Sequence, residues 1–286
     1  MKVVTTIAET RGALRERPRP HGLVPTMGYL HEGHLSLVRQ ARADNATVSA
    51  SIFVNPTQFG PSEDFTTYPR NEEQDLKALE SAGTDLVYMP PLEVVYPVGF
   101  DTYVTVGALT ERLEGTARPG HFRGVATVVA KLFNVLQPDR AYFGQKDAQQ
   151  ALVITKMAHD LDFPVEVVVM PTIRESDGLA LSSRNVYLSP PERLAARSLS
   201  RALGEAARLY EVGERDAGRL RAEMSAILAA EPLAQPEYVS VADNRTLLEL
   251  ETIDGPALAS LAVRVGRTRL IDNVVLGAAS DRNDGP

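Results

Sequence analysis

Apolar residues recur along the first 180 positions of the chain in two alternating patterns. Short runs rich in Val, Ile, Leu and Ala, typical of β-strands, are each followed by a longer stretch in which apolar residues return every three or four positions. Because near-continuous apolar runs are typical of strands buried on both faces, the sheet they form is expected to be parallel. The predicted strands are Lys2–Thr5, a short run ending at Leu23-Val24, Thr47–Val54, Asp85–Met89, Ala141–Gly144 and Val165–Val169.

Helical spacing separates these predicted strands. The clearest helices are Asn71–Ala82 and the apolar Val125–Leu136, and others are predicted after Thr5, after the turn at Gly28 and from Gln145. Strands that alternate with helices in this way indicate an α/β fold with a doubly wound parallel sheet.

The pattern changes near residue 180. Pro190–Ala230 is rich in Ala, Leu, Arg and Glu and predicts two helices, broken near Gly213. Short strands are predicted after them, at Tyr238–Ala242, Leu258–Val265 and Arg269–Val275. We therefore expect two domains, a larger α/β domain at 1–180 and a smaller α+β domain at 181–286.

Composition narrows the class of protein. The chain has 286 residues, a net charge of −7 and no cysteine, so disulfides, thiol nucleophiles and Cys-ligated metals are excluded. The acidic balance argues against a general nucleic-acid binder. No apolar run approaches the length of a membrane span, and no signal-peptide core precedes residue 20. We expect a cytoplasmic protein without a membrane or nucleic-acid partner.

The stretch V-P-T-M-G-Y-L-H-E-G-H, residues 24–34, carries the clearest chemical signal. It predicts a strand, a tight turn and a helix start, which aims backbone N–H groups at an anion. His31 and His34 are three residues apart, and Gly33 leaves room for a nucleotide to approach. A phosphate site is one interpretation of the two histidines. A structural role and a zinc site are the others, although H-E-G-H lacks the H-E-x-x-H spacing.

Other loops at predicted strand ends also carry polar side chains. If the strand ends converge on one edge of the sheet, these groups surround one ligand, and nucleotidyl transfer is the reaction class that fits them. Arg118, His121 and Arg123, before the helix predicted at Val125, could form a further anion site or only a mobile loop. The strand-end groups are Asn55 and Gln58, Lys146 and Gln150, and Ser182, Ser183 and Arg184.

Five segments between residues 20 and 190 form a set: P-T-M-G-Y-L-H-E-G-H, I-F-V-N-P-T-Q-F, R-P-G-H-F-x-G-V, Y-F-G-Q-K-D-A-Q-Q and D-G-L-A-L-S-S-R-N. In this order they closely resemble the pantothenate synthetases, the pantoate–β-alanine ligases of the nucleotidyltransferase superfamily. The resemblance implies a Rossmann-like fold and an ATP- and Mg²⁺-dependent cytoplasmic homodimer. It also implies condensation of pantoate with β-alanine through a pantoyl adenylate, releasing pyrophosphate and AMP. Because an acyl adenylate is prone to hydrolysis, we expect the C-terminal domain to close as a lid over bound ATP.

The resemblance also implies roles for individual residues. His34 would be the catalytic proton donor, Gln58 would contact pantoate and β-alanine, and Gln150 would contact pantoate. Asp147 would reach either the ribose or the metal, whose ligands stay unassigned. The residues expected to contact ATP are Met27, Gly28, Tyr29, Leu30, His31, Glu32, Gly33 and His34, then Gly144, Gln145, Lys146 and Asp147, and finally Ile173, Leu181, Ser182, Ser183 and Arg184.

Three other functions would share part of this pattern. A different nucleotidyltransferase would keep the His-x-x-His and Ser-Ser-Arg elements without needing Gln58 and Gln150. A metal-dependent hydrolase would use His31 and His34 to bind zinc tightly. A nucleotide-sensing module would bind ATP without exchanging pyrophosphate.

Overall fold

A computed structural model describes residues 1–61 and 63–277 of the chain. The chain divides into two compact units: the first comprises residues 1–173 and 181–183, and the second comprises 174–180 and the chain from Arg184 onward. The boundary expected after residue 180 thus falls between two short stretches that belong to different units. Within the described residues, no helix is both long and apolar enough to cross a membrane.

The first unit is built on a six-stranded sheet in the order β1-β4-β3-β2-β5-β6, and every pairing in it is parallel. This arrangement confirms the predicted α/β fold with a parallel sheet. The strands are β1 (Lys2–Val4), β2 (His21–Thr26), β3 (Thr47–Ile52), β4 (Leu86–Tyr88), β5 (Arg140–Gly144) and β6 (Glu166–Met170).

Helices of this unit pack on both faces of the sheet. Neighbouring strand residues point to opposite faces, so Leu23 joins a core with Phe133, whereas Val24 joins a second core with Val38. The helices are α1 (Ile7–Arg15), α2 (Glu32–Asp44), α3 (Glu72–Ser81), α4 (Leu92–Val95), α5 (Glu114–Ala117), α6 (His121–Leu136) and α7 (Ala148–Asp160), with 3₁₀ turns at Pro56–Gln58, Ala108–Thr110 and Gln145–Asp147.

The second unit packs two helices on an antiparallel three-stranded sheet of order β7-β8-β9, as the α+β prediction requires. Its core joins Leu199 and Leu220 of the helices to Leu261 of the central strand, and all three are almost completely buried. The elements are α8 (Pro190–Glu211), α9 (Ala217–Ala229), β7 (Ala234–Asp243), β8 (Ala257–Val265) and β9 (Thr268–Leu276), and a 3₁₀ turn, Ser183–Tyr187, precedes them in the sequence.

Ion pairs explain why residues 174–180 belong to the second unit. Arg174 donates two hydrogen bonds, of 2.6 and 2.9 Å, to the carboxylate of Asp272, which is 2% exposed. Arg193 of α8 likewise holds the carboxylate of Glu175 at 2.7 Å. Bidentate guanidinium–carboxylate contacts of this kind fix both the position and the direction of a segment.

Two buried histidines of the first unit predict an acid-sensitive fold. Burial, aided by neighbouring guanidinium groups, lowers the pKa of His21 and of His121 to about 4. As pH falls below about 6.5, the unfolded chain binds protons that the folded chain refuses, so stability is lost until the folded pKa is reached. We expect His21 and His121 together to account for about 3–4 kcal/mol of the stability that urea unfolding shows to be lost between about pH 7 and about pH 5, and His34, whose pKa is also lowered, to add to that loss.

The matched control for this pH dependence is His159→Gln, because the His159 side chain is 86% exposed. This variant should keep the full pH dependence. Equal free energies of unfolding at the two pH values would show that His21 and His121 are protonated in the folded chain.

Candidate active site

The order of the strands marks one edge of the sheet. From β2 the chain continues to β3 and β4 on one side, whereas from β5 it continues to β6 on the other. In open parallel sheets, ligands bind outside the carboxyl ends of the strands where the order reverses. The loops that follow β2 and β5 contain His31 and Lys146, so the structure brings these two predicted site residues to the reversal point.

A buried carboxylate shapes the turn after β2. Gly28 and Tyr29 have φ values of +80° and +50°, and in this conformation the N–H groups of Tyr29 and Leu30 point at Asp75 of α3. Both hydrogen bonds are 2.7 Å long, and Asp75 is 2% exposed. The expectation that this turn aims its N–H groups at an anion is therefore wrong for Tyr29 and Leu30, because Asp75 already accepts both.

His31 and His34 together form a capping box at the N-terminus of helix α2. His31 is the N-cap residue, and its Nδ1 accepts the N–H of Gly33 at 3.2 Å. The Nδ1 of His34 accepts the N–H of His31 at 3.4 Å, and the two ring centroids are 4.1 Å apart. Since each Nδ1 is an acceptor, each neutral ring carries its proton on Nε2. The pair therefore presents two N–H donors side by side.

His34 stays neutral at ordinary pH. Burial, with a smaller effect from His31, lowers the pKa of His34 to about 3. Two residues of the loop after β5 also act on the pKa of His34: Asp147 raises it and Lys146 lowers it. The loop after β5 therefore lies within electrostatic range of the histidine pair. With this pKa the His34 ring is neutral and can donate a hydrogen bond from Nε2.

The loop after β5 carries Lys146 and leads into α7, whose first turn contains two adjacent glutamines with different surroundings. The Lys146 ammonium is 3.4 Å from Asp147 Oδ1, and its side chain is 21% exposed. Gln149 is buried, and its amide nitrogen donates to the carbonyls of Leu109 and Arg112. Gln150 is half-buried, and its side-chain amide makes no hydrogen bond within the described part of the chain. Gln149 thus supports the fold, whereas the amide of Gln150 is not used by the fold in that part of the chain.

The loop after β3 places Gln58 beside the first loop. Asn55 is 1% exposed, and its amide nitrogen donates to Gln58 Oε1 at 3.0 Å. The amide nitrogen of Gln58 lies 3.3 Å from the sulfur of Met27. Because Asn55 occupies the oxygen, the Gln58 amide turns its N–H groups toward the Met27 side of the turn.

Residues 181–183 belong to the first unit and complete this set of loops. The N–H of Leu181 donates to the carbonyl of Ile173 at 3.0 Å, and the Leu181 Cβ lies 3.8 Å from where a Cβ on Gly33 would stand. Ser183 Oγ is 3.2 Å from the hydroxyl of Tyr68. Arg184, the last residue of the predicted triplet, belongs to the second unit.

Arg118 and His121 take part in hydrogen bonds with other loops, which neither an open anion site nor a mobile loop would explain. Arg118 pairs with Glu63, and His121 contacts the backbone carbonyl of Gln58. The Arg123 guanidinium lies over the ring of Tyr103, 4.8 Å from its centroid. Helix α6 starts at His121, four residues before the apolar run that predicts it.

Among the described residues, no three His, Cys, Asp or Glu side chains are grouped as a metal site requires. His31 and His34 both direct Nδ1 at backbone N–H groups instead. The zinc interpretation of H-E-G-H therefore lacks a third ligand within that part of the chain.

Three residues that hydrogen-bond with these loops are absent from the sequence prediction: Asp75, Glu63 and Tyr68. Asp75 lies in N-E-E-Q-D, which looks like an ordinary acidic helix start. Its partners are 45 and 46 residues away in the sequence, so no local spacing reveals the contact. The left-handed conformation of Tyr29, which Asp75 stabilises, has no sequence signal either, because such positions usually hold Gly or Asn.

Gly124 lets helix α6 approach the Gln58 turn. A Cβ at this position would lie 2.3 Å from the carbonyl oxygen of Thr57 and 2.7 Å from the N–H nitrogen of Gln58. We expect Gly124→Ala to cost about 1–3 kcal/mol in unfolding free energy, although Ala is normally the better helix residue. Urea unfolding measures this cost. The matched control is Gly12→Ala in α1, where the Cβ meets nothing within 4 Å, and where no loss should appear.

Comparison with known proteins gives a consistent result. A family model described as pantoate-beta-alanine ligase matches residues 2–275. The pantothenate synthetase of Roseiflexus sp. strain RS-1 is 62% identical over 278 residues, which are 97% of this chain and 100% of that protein.

Solved structures agree with this match. The crystal structure of pantothenate synthetase from Thermus thermophilus has a TM-score of 0.92 and 50% identity, covering 96% of this chain and 99% of that one. The pantoate-beta-alanine ligase from Francisella tularensis, complexed with beta-gamma ATP and β-alanine, has a TM-score of 0.80 and 31% identity, covering 98% of this chain and 99% of that one.

Proposed function

The chain belongs to the pantoate–β-alanine ligase family, and we propose that it condenses pantoate with β-alanine to give pantothenate, AMP and pyrophosphate. The observation that carries the proposal is the grouping at the reversal point of the sheet. Two imidazole donors lie there with their ring centroids 4.1 Å apart, and one of them, His34, is within electrostatic range of Lys146 and Asp147. Such a site suits a nucleotide whose α-phosphate gains charge during the reaction.

The reaction proceeds in two displacements. A carboxylate oxygen of pantoate attacks the α-phosphorus of ATP, the bond from that phosphorus to the bridging oxygen breaks, and pyrophosphate leaves. The amine of β-alanine then attacks the acyl carbon of pantoyl adenylate. The acyl C–O bond breaks, AMP leaves with the electron pair, and the amine nitrogen loses its proton.

The histidine pair acts in the first displacement. We assign the Nε2–H groups of His31 and His34 to oxygens of the transferring phosphate, with His34 at the reacting centre. Since the pKa of His34 is about 3, His34 stabilises charge by donating a hydrogen bond and keeps its proton. The Lys146 ammonium adds a positive charge on the opposite loop.

The remaining ATP contacts are assigned to the loops around this centre. The turn from Met27 to Gly33 would line one side of the nucleotide. Gly144, Gln145 and Asp147 would line the other side. Ile173 and the run Leu181, Ser182, Ser183 and Arg184 would complete the phosphate and base contacts.

Two glutamines are assigned to the acid and amine substrates. Gln58, oriented by Asn55, would donate its N–H groups to oxygens of pantoate and contact β-alanine. Gln150, whose side-chain amide makes no hydrogen bond within the described residues, would also bind pantoate. Neutral amides suit carboxylate and hydroxyl groups because they add no charge that would compete with the phosphates.

Magnesium fits this site as an ion carried by ATP. The described residues offer no protein-only cage, and Mg²⁺ is usually held by one or two carboxylates together with substrate phosphates. Asp147 of the same loop as Lys146 would be a carboxylate ligand of the ion or would contact the ribose. Bound there, the ion would neutralise charge on the β- and γ-phosphates as pyrophosphate leaves.

We also propose that the second unit closes over bound ATP as a lid, because an acyl adenylate must be shielded from water between the two steps. Limited proteolysis tests this. Cleavage within residues 184–277 should slow when ATP and pantoate are present together, and an unchanged rate would contradict closure.

A cytoplasmic homodimer is the proposed state of the protein, in line with the family it belongs to. Sedimentation velocity measures the oligomeric state directly.

The proposed function is tested by incubating the protein with ATP, Mg²⁺, pantoate and β-alanine and quantifying products by mass spectrometry. Pantothenate, AMP and pyrophosphate should accumulate in equal amounts. Release of ADP and phosphate, or product formation without pantoate, would contradict the proposal.

A further inference from the structure

The main-chain carbonyl of Gln58 is held by two residues near the start of α6, Arg118 and His121. His121 Nδ1 lies 2.8 Å from the carbonyl oxygen of Gln58, and Arg118 Nη2 lies 3.4 Å from the same oxygen. A carbonyl oxygen only accepts hydrogen bonds, so His121 Nδ1 carries a proton and donates.

The other side of the His121 ring fixes its protonation state. Its Nε2 lies 3.0 Å from Arg118 Nη1, and a guanidinium nitrogen only donates. Nε2 must therefore accept, and the ring is neutral. Glu63 holds the guanidinium with contacts of 2.8 Å to Nε and 2.7 Å to Nη2. The four residues form one connected network, in which Arg118 donates both to the Glu63 carboxylate and to His121, and His121 donates to the carbonyl of Gln58.

The side chains of this hydrogen-bonded network are mostly buried, which restricts the conformations that they can adopt. His121 and Gln58 are 8% and 9% exposed, and the Arg118 and Glu63 side chains are 16% and 23% exposed. Burial, together with the Arg118 guanidinium, lowers the pKa of His121 to about 4, so the neutral ring persists at ordinary pH. A water molecule has little access to replace either donor to the Gln58 carbonyl.

We propose that Arg118 and His121 are positioning residues that fix the main chain of Gln58, so that its side-chain amide meets the oxygens of pantoate. This inference rests on the proposed function, which assigns Gln58 to pantoate. Asn55 holds the amide oxygen of Gln58 at 3.0 Å, while His121 and Arg118 hold its main-chain carbonyl. With both ends held, the remaining amide N–H has one direction in which to donate.

Two substitutions of His121 separate this role from simple packing. An asparagine N–H stands near the position of imidazole Nδ1, whereas a glutamine N–H stands near Nε2. His121→Gln should raise the Michaelis constant for pantoate about tenfold or more and leave that for ATP within about twofold, because one hydrogen bond to the Gln58 carbonyl is lost. His121→Asn should recover most of the affinity for pantoate. The control, His159→Gln at an exposed position of α7, should change neither constant.

A double-mutant cycle shows whether His121 acts through Gln58. Gln58→Ala alone should raise the Michaelis constant for pantoate, and adding His121→Gln to it should raise the constant no further. Additive effects of the two substitutions would overturn the inference, as would equal losses for ATP and pantoate in His121→Gln.

The two proposals fail in different ways. If Gln58→Ala leaves the affinity for pantoate unchanged, the assignment of Gln58 in the proposed function is wrong, and the inference falls with it. If Gln58→Ala weakens pantoate binding but His121→Gln does not, only the inference is wrong. Arg118→Lys serves where His121→Gln folds poorly, since it keeps the charge but loses the paired contacts with Glu63. It should raise the constant for pantoate selectively, and an unchanged constant would overturn the inference.

Discussion

Replacing His34 by Ala is expected to lower the rate of pantoyl adenylate formation by about 10²–10³-fold, as loss of one charge-stabilising donor typically does. The His34 ring sits beside His31 with its Nε2–H turned away from the helix backbone, since Nδ1 accepts the N–H of His31. Stopped-flow or quench measurement of pyrophosphate release in the absence of β-alanine isolates this step. ATP affinity should change much less than the rate.

A pair of amide variants tests which atom of His34 matters. His34→Gln offers an N–H near the position of Nε2 and should retain more of the rate than His34→Asn, whose amide lies near Nδ1. Because the pKa of His34 is about 3, the adenylation rate should also not fall as pH rises through about 6.5. A fall there that disappears in His34→Gln would show that His34 acts as an imidazolium acid.

Lys146→Met is expected to produce a loss of similar size, about 10²–10³-fold in the adenylation rate. The substitution nearly keeps the length of the side chain and removes the positive charge that the proposed function assigns to the phosphates. The Lys146 side chain is only 21% exposed, so the loss of its field is not made up by bulk water. Lys146→Arg should restore part of the rate, since a guanidinium keeps the charge but not the geometry.

The matched control is Lys156→Met on α7. The Lys156 side chain is 52% exposed, and its ammonium pairs with Asp160 one turn away. This variant should react at the normal rate. A Lys146→Met variant that also reacts normally, with folding verified by its unfolding midpoint, would remove Lys146 from the reaction.

Much of the fold is visible in the sequence because it depends on periodicity. Val24 and Leu23 enter different cores although they are neighbours, which is what an apolar strand covered on both faces requires. The strand at Thr47–Ile52 and the helix at Glu72–Ser81 also lie where the patterns place them, within two residues at each end. Local patterns of this kind need no knowledge of distant partners.

The parts that sequence reasoning missed depend on distant partners. Asp75 binds the turn at Tyr29 and Leu30 from another helix, and its sequence context shows only a helix start. His121 holds the Gln58 carbonyl across 63 residues of chain, so its motif suggests an anion site as readily as a structural one. Tertiary hydrogen bonds decide such roles, and spacing alone does not encode them.

The crossing of residues 174–184 between the two units is likewise set by long-range contacts. Arg174 is drawn to Asp272, 98 residues away, while Leu181 returns to hydrogen-bond with Ile173. A single boundary near residue 180 is the most that composition can suggest there.

ATP–pyrophosphate exchange tests the central claim most directly, because it reports reversible formation of an acyl adenylate at one site. With labelled pyrophosphate, exchange into ATP should require pantoate, proceed without β-alanine, and fall by about 10²-fold or more in Lys146→Met. Exchange that proceeds without pantoate, or that appears only when β-alanine is added, would contradict the account.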